Sequence, residues 1–222
     1  MLARYMLYKN FIFDCDGVLL DSNKFKVSAM RTAISSYPET AAKDFIEYFT
    51  SNFGKSRYMH VKLFFEVFLG RPPADGEQQA ILEKYARACR EEYQTCEICT
   101  GAIELLTLLS PDNCWVVSGS DQEELRGVFS SRNLRRHFKD VLGSPTAKST
   151  NIAKIIETNN LEASTLCIIG DSSGDYQAAR DNDIDFIFCR NYSNTPELGE
   201  KYAMQGLRVI SNLQELAQEI SP

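Results

Sequence analysis

Long apolar runs are missing from this sequence. No stretch approaches the roughly 20 apolar residues needed to cross a bilayer, and residues 1–10 lack the apolar segment of a secretory signal. A cytoplasmic location is therefore expected. Basic residues are also scarce: Lys and Arg total 24 against 30 Asp and Glu, giving a formal net charge of -6. Nucleic-acid-binding surfaces usually carry a clustered basic excess, so neither nucleic acid nor membrane is an expected partner. Any anionic ligand would have to find local cations. Internal repeats and low-complexity tracts are absent, which argues against a solenoid or a tail-borne function. With 2 histidines in the chain, no His pair or second Cys pair stands at finger-like spacing from Cys96 and Cys99. The 7 cysteines are an odd set scattered through apolar segments, as at Cys114, Cys167 and Cys189, and suit buried thiols better than a disulfide framework.

What is present is a chain of 222 residues, 44% hydrophobic, long enough for a large domain with a smaller insertion. Short apolar runs at 11–13, 115–117, 166–169 and 186–189, with a weaker one at 209–210, read as buried parallel strands. Between them lie stretches at helical spacing: Ile103, Leu106 and Leu109; Leu125, Val128 and Phe129; Ile152, Ile155 and Ile156. Alternating strand and helix implies an open α/β sheet. Residues from about 22 to 95 differ, with successive amphipathic stripes and no convincing strand. The stripes are Phe45, Phe49 and Phe53; Val61, Phe64, Phe65, Phe68 and Leu69; and Ile81, Leu82, Tyr85, Ala88 and Cys89. Breaks at Tyr37-Pro38, at 70–73 and at Asp75-Gly76 divide this block into a small helical bundle. Glu83, Arg87 and Glu91 follow one another at i, i+4 spacing and read as a solvated face.

Ligands of parallel α/β sheets bind at the carboxyl ends of the strands, so the residues closing each apolar run are the candidates for chemistry. The first run delivers Asp14-Cys15-Asp16-Gly17. Its two acids at i and i+2 project to one side, an arrangement tolerable when a metal neutralises the pair or one carboxyl keeps its proton. Gly17 allows a tight bend; an Asp-rich turn is the alternative. The run at 166–169 ends in Gly170-Asp171-Ser172-Ser173-Gly174-Asp175, hard oxygen ligands suited to Mg²⁺, or else a helix cap at Ser173 or Asp175. The run at 115–117 ends in Ser118-Gly119-Ser120. Ser118 and the amides around Gly119 could hold phosphate, while Ser120 or Asp121 could cap the following helix.

Together these segments resemble the haloacid dehalogenase superfamily, in particular its phosphoglycolate phosphatase and β-phosphoglucomutase-like group with a helical cap. The resemblance implies a Rossmann-like parallel α/β core, residues 1–20 and 97–222, with an α-helical cap at 21–96. It implies a Mg²⁺-dependent phosphatase acting on a small phosphate monoester, phosphoglycolate or a sugar phosphate, as monomer or homodimer. By the same resemblance Asp14 is the nucleophile that forms an aspartyl-phosphate, and Asp16 is the acid and base, holding the proton while Asp14 stays ionised. Ser118 and Lys148 bind phosphate oxygens, with Gly17 and Gly119 beside them; Lys154 is the weaker choice of lysine. Asp14, the Asp16 carbonyl, Asp171 and Asp175 would hold the metal. Gly54-Lys55-Ser56-Arg57 resembles a substrate loop of the cap, with Arg57, helped by Lys55, meeting a second anionic group. Dehalogenases lack the second acid, and mutases of this group carry a histidine where Lys26 stands, so hydrolysis is preferred. A β-phosphoglucomutase-like mutase and a non-catalytic phosphometabolite-binding regulator are the alternatives.

Overall fold

In the computed structural model, which describes residues 8–221, six strands form one parallel sheet in the order β3-β2-β1-β4-β5-β6. They are β1 (Asn10–Phe13), β2 (Cys114–Asp121), β3 (Asp140–Ser144), β4 (Leu166–Gly170), β5 (Asp185–Cys189) and β6 (Arg208–Ile210). The apolar runs are continuous because both faces are covered. Phe11, Phe13, Val116 and Ile169 enter one core with α5 (Ala102–Leu108), α6 (Gln122–Ser131) and α10 (Leu213–Ile220). The alternate residues Ile12, Trp115, Val117 and Ile168 face the other core with α7 (Lys148–Asn159), α8 (Ser173–Asp181) and α9 (Leu198–Met204).

The chain runs outward from β1 through β2 to β3, then returns to place β4 on the opposite side of β1. The strand order reverses beside β1, and in open α/β sheets the ligand crevice lies at that reversal, outside the carboxyl ends of the strands. Asp14 and Asp171 follow the two strands that flank it. Edge strand β3 escapes the sequence pattern because its apolar run is only Val141-Leu142, and Gly143 follows where an added Cβ would lie 2.5 Å from the Ser120 carbonyl oxygen.

All the helices inserted between β1 and α5 fall in the block expected to be helical: α1 (Asn23–Ala33), α2 (Glu39–Ser51), α3 (Arg57–Leu63) continued by a wider turn at Phe64–Phe68, and α4 (Glu77–Thr95). The three stripes meet inside, with Phe45 against Phe64 at 4.7 Å and Phe49 against Tyr85 at 6.2 Å between ring centroids. Glu83, Arg87 and Glu91 are exposed. Entering and leaving segments pair with each other, Asp21 N–H to Glu97 O and Cys99 N–H to Leu19 O at 2.9 Å each, which fixes the root of the insertion over the end of β1.

Candidate active site

Asp14 leaves β1 with its amide still bonded to Ile169 O at 2.9 Å, so the sheet ladder aims its side chain into the crevice. Its Oδ1 accepts the Cys15 amide at 2.8 Å and the Lys148 ammonium at 2.9 Å. Oδ2 takes no hydrogen bond among the described residues, and Asp14 lines the cavity under the insertion. Cys15 turns the other way, into the core. The loop then tightens through Gly17, at φ +78, where an added Cβ would fall 2.3 Å from Asp171 Oδ2 and 2.4 Å from Asn23 Nδ2. Gly17 is thus required by close packing against Asp171.

Asp14, Asp171 and Asp175 are all buried, and one carboxylate oxygen from each lies within 4.8 Å of the others. Lys148, at the start of α7, pairs with Asp14 and Asp175; Lys154 is exposed. Asp175 also completes a capping box with Ser172, so cap and site share one residue. Asn23 donates to Asp171 Oδ2 at 2.6 Å, and Ser193 donates to the Asp171 carbonyl at 2.5 Å. Three acids against one ammonium leave an excess of negative charge. Burial and the neighbouring charges of Asp175 and Asp16, offset in part by Lys148, push Asp14 up to about 7. Burial and the charges of Asp14 and Asp175, offset in part by Lys148 and the Asn23 hydrogen bond, hold Asp171 well above the usual carboxylate range. A compact set of hard oxygens short of positive charge fits a divalent cation such as Mg²⁺.

Asp16 stands apart from this cluster. Its Oδ1 accepts from Ser22 Oγ and Tyr93 OH, each at 2.6 Å, and its Oδ2 accepts from Lys26 Nζ at 2.6 Å and Ser120 Oγ at 2.8 Å. Ser118 lies farther off at 3.4 Å and takes the Ser120 amide. Burial alone would raise Asp16, but the Lys26 ammonium and the Ser22 and Tyr93 hydroxyls more than offset it and hold the carboxyl well below its usual range. Without a metal ion the side chains alone give Asp14 the higher proton affinity, because the second acid meets Lys26, which the motif does not contain. The order expected from the sequence, with Asp16 holding the proton, is one that Mg²⁺ beside Asp14 would set.

The insertion closes over both acids. Gly54, at φ +93, is wedged between two core loops: an added Cβ would lie 2.6 Å from Ser172 Oγ, and a Cβ on Gly119 would lie 2.7 Å from Gly54 O. The enclosed space is about 20 Å³, bordered by Asp14, Asp16, Lys26, Arg57, His60 and Gly119 among others. That volume holds a water molecule and no substrate. Lys55 borders it but bonds Asn52 Oδ1 at 2.9 Å. Arg57, expected to meet a substrate anion, borders the same space and is also held by the core. Its guanidinium forms a two-pronged pair with Glu124 of the core at 2.9 and 2.6 Å and stacks 4.8 Å over the Tyr85 ring. It ties insertion to core, and its Nε alone has no partner.

His60 lies against Phe49 at 4.7 Å, with Nδ1 unpartnered. Burial, helped by Lys55 and Lys26, pushes it down to about 4. Its folded value is below the unfolded one of about 6.5, so stability is lost as pH falls through that interval, by up to about 3 kcal/mol. A His60→Phe variant should show a shallower loss of urea midpoint between pH 7 and pH 4.5 than wild type; parallel curves would remove His60 as the cause.

Sequence reasoning missed Ser22, Tyr93, Ser120 and Glu124. Tyr93 was within reach, since it continues the buried stripe Ile81, Tyr85, Cys89 by one further turn of α4. Glu124 carries no such signal, because it reads as an ordinary first-turn acid of α6.

The model of the haloacid dehalogenase-like hydrolase family matches residues 11–189, a span that includes every acid of the site. The chain belongs to this family. Solved structures agree at the level of fold. A hydrolase from Pseudomonas syringae superposes with a TM-score of 0.74 at 21% identity, covering 95% of this chain and 96% of that one. A predicted phosphoglycolate phosphatase from Haemophilus somnus gives 0.73 at 12% identity, covering 97% and 99%. CbbY from Rhodobacter sphaeroides, solved in complex with phosphate, gives 0.71 at 13%, covering 94% and 96%. No curated protein matches the sequence.

Proposed function

We propose that this haloacid dehalogenase-like hydrolase is a Mg²⁺-dependent phosphatase of small phosphate monoesters that works through an aspartyl-phosphate. The observation that carries this reading is the juxtaposition in one buried crevice of an acid with a free Oδ2, a lysine bonded to that acid, two further acids, and a second strand-end acid held apart from them. In this reading Asp14 Oδ2 attacks phosphorus as the bond to the leaving oxygen breaks, which divides one difficult displacement into two. Asp16 gives that oxygen a proton, then takes one from the water that hydrolyses the aspartyl-phosphate. A bound phosphate dianion raises Asp16's proton affinity and competes for the Lys26 hydrogen bonds, which reverses the ligand-free order. Lys148 and Ser118 hold phosphate oxygens. Mg²⁺, held by Asp14, Asp171, Asp175 and the Asp16 carbonyl, would supply charge neutralisation at the phosphoryl group. Residues 21–96 act as the cap that swings open to admit substrate and closes to exclude water.

Release of inorganic phosphate from p-nitrophenyl phosphate, phosphoglycolate and a panel of sugar phosphates, with Mg²⁺ and with EDTA, tests the reading. Turnover confined to the Mg²⁺ arm is expected, and none above background would refute it. Retained turnover with transfer of phosphate to a second sugar hydroxyl would favour the mutase. A Gly119→Ala variant bears on the cap, because its Cβ would press on the carbonyl oxygens of Gly54 and Lys55 at 2.7 and 2.9 Å. Incomplete closure should lower kcat/KM on the order of 10²-fold at unchanged melting temperature; wild-type kinetics would show that closure tolerates the methyl group.

A further inference from the structure

We propose that Lys26 contacts the leaving-group oxygen and is a catalytic residue for esters with poor leaving groups, an inference that rests on the phosphatase reading above. Lys26 projects from α1 of the insertion, is buried, and borders the same closed cavity as Asp14 and Asp16. Its ammonium has three N–H donors. One goes to Asp16 Oδ2 at 2.6 Å and one to Ser120 Oγ at 2.7 Å. The third meets no acceptor among the described residues; the Phe53 and Tyr93 rings lie 5.7 and 6.0 Å away.

The position of this third donor follows from the chemistry. Whatever oxygen exchanges a proton with Asp16 must come within hydrogen-bonding distance of that carboxylate, and Nζ already stands at that distance from it. The same oxygen gains negative charge as its bond to phosphorus breaks. A fixed cation at the wall of a cavity of only about 20 Å³ stabilises such charge far more than bulk water does. Asp16 does not need Lys26 for want of hydrogen bonds, since Ser22, Tyr93 and Ser120 already donate to it. Lys26 therefore adds positive charge at the cavity wall next to Asp16, at the point where the departing oxygen lies. The substrates that gain most are alkyl and sugar phosphates, whose alkoxides are strongly basic. Aryl phosphates such as p-nitrophenyl phosphate, whose leaving group is already stable as an anion, gain least.

The test compares kcat/KM on p-nitrophenyl phosphate and on an alkyl phosphate, both with saturating Mg²⁺, for wild type, Lys26→Met, Lys26→Arg and Tyr93→Phe. Wild type inactive on both esters would refute the phosphatase reading itself, before any variant is considered. With wild type active, Lys26→Met should lose on the order of 10²-fold on the alkyl ester and much less on the aryl ester, while Lys26→Arg, which keeps the cation, should preserve the wild-type ratio of the two. Tyr93→Phe removes a donor from Asp16 without touching the cavity and leaves the Lys26 cation in place, so its loss on the alkyl ester should be far smaller than that of Lys26→Met. Equal losses of Lys26→Met on the two esters would overturn the inference. So would a loss on the alkyl ester as large in Tyr93→Phe as in Lys26→Met, because Lys26 would then act only through Asp16. If Lys26→Met fails to melt cooperatively, Lys26→Gln takes its place with the same two outcomes.

Discussion

Asp14→Asn should lower Mg²⁺-dependent turnover by at least about 10⁴-fold, the scale of loss when a covalent nucleophile is removed and binding survives. Asparagine keeps the shape and the acceptor oxygen that meets Lys148 and the Cys15 amide, so the loop has no steric reason to move. The same substitution should stabilise the metal-free protein. Burial and the charge of Asp175 push Asp14 up to about 7, above its unfolded value of about 3.9. A group shifted in that direction binds more protons folded than unfolded, so its contribution to stability is lost as pH rises from about 4 to about 7. At pH 8 in EDTA the variant should therefore unfold at higher urea than wild type, by on the order of 2 kcal/mol. At pH 5 the gain should shrink. Mg²⁺ should stabilise wild type more than the variant, since the ion needs the carboxylate and binds only the folded site. An inactive variant with unchanged stability at both pH values would leave Asp14 as nucleophile but remove the electrostatic account of its burial. A variant with more than a tenth of wild-type turnover would eliminate the nucleophile.

This opposition between stability and chemistry bears on how much of the molecule is legible in its sequence. Strands covered on both faces must be apolar throughout, so β1, β2, β4 and β5 announce themselves as runs, and the polar residue that ends each run marks the crevice. Asp14, Ser118 and Asp171 are readable for that reason. Edge strand β3 has neighbours on one side only and needs few apolar residues, so it leaves no comparable mark. The insertion is legible as helices because its aromatic stripes keep helical spacing, yet what those helices hold over the site is not. Lys26 and Tyr93 lie 10 and 77 residues from Asp16 along the chain, and each bonds its carboxylate at 2.6 Å. A period detects which face of a helix is buried, and says nothing of which buried polar group it will meet. Arg57 illustrates the same point: its loop is recognisable, but its partner Glu124, 67 residues away, is fixed only by how the insertion sits on the core.

Lys148→Met should separate stability from activity most clearly. Burial alone would lower the Lys148 pKa, but Asp14 and Asp175 on either side hold it above its ordinary range. A raised lysine contributes stability fully at pH values below its unfolded value and loses it only as pH climbs through the folded one, so the ammonium stays charged across the neutral range. Removing the ammonium strands Asp14 and Asp175 without their cation beside Asp171, at a cost of about 3–5 kcal/mol for a broken buried pair. The cost should be larger at pH 8 than at pH 5, where Asp14 and Asp171 relieve the repulsion by taking up protons. Mg²⁺ should then recover much of the melting temperature, because the cation restores positive charge to the same oxygens. Turnover should stay down on the order of 10³-fold even at saturating Mg²⁺, since the phosphoryl oxygen that Lys148 would touch lacks its donor. Thermal melts and phosphate release measured on one preparation across a Mg²⁺ titration decide the matter. If activity returns together with stability, Lys148 serves only to balance the acids, and the anchoring of phosphate must pass to Ser118 and the amides around Gly119.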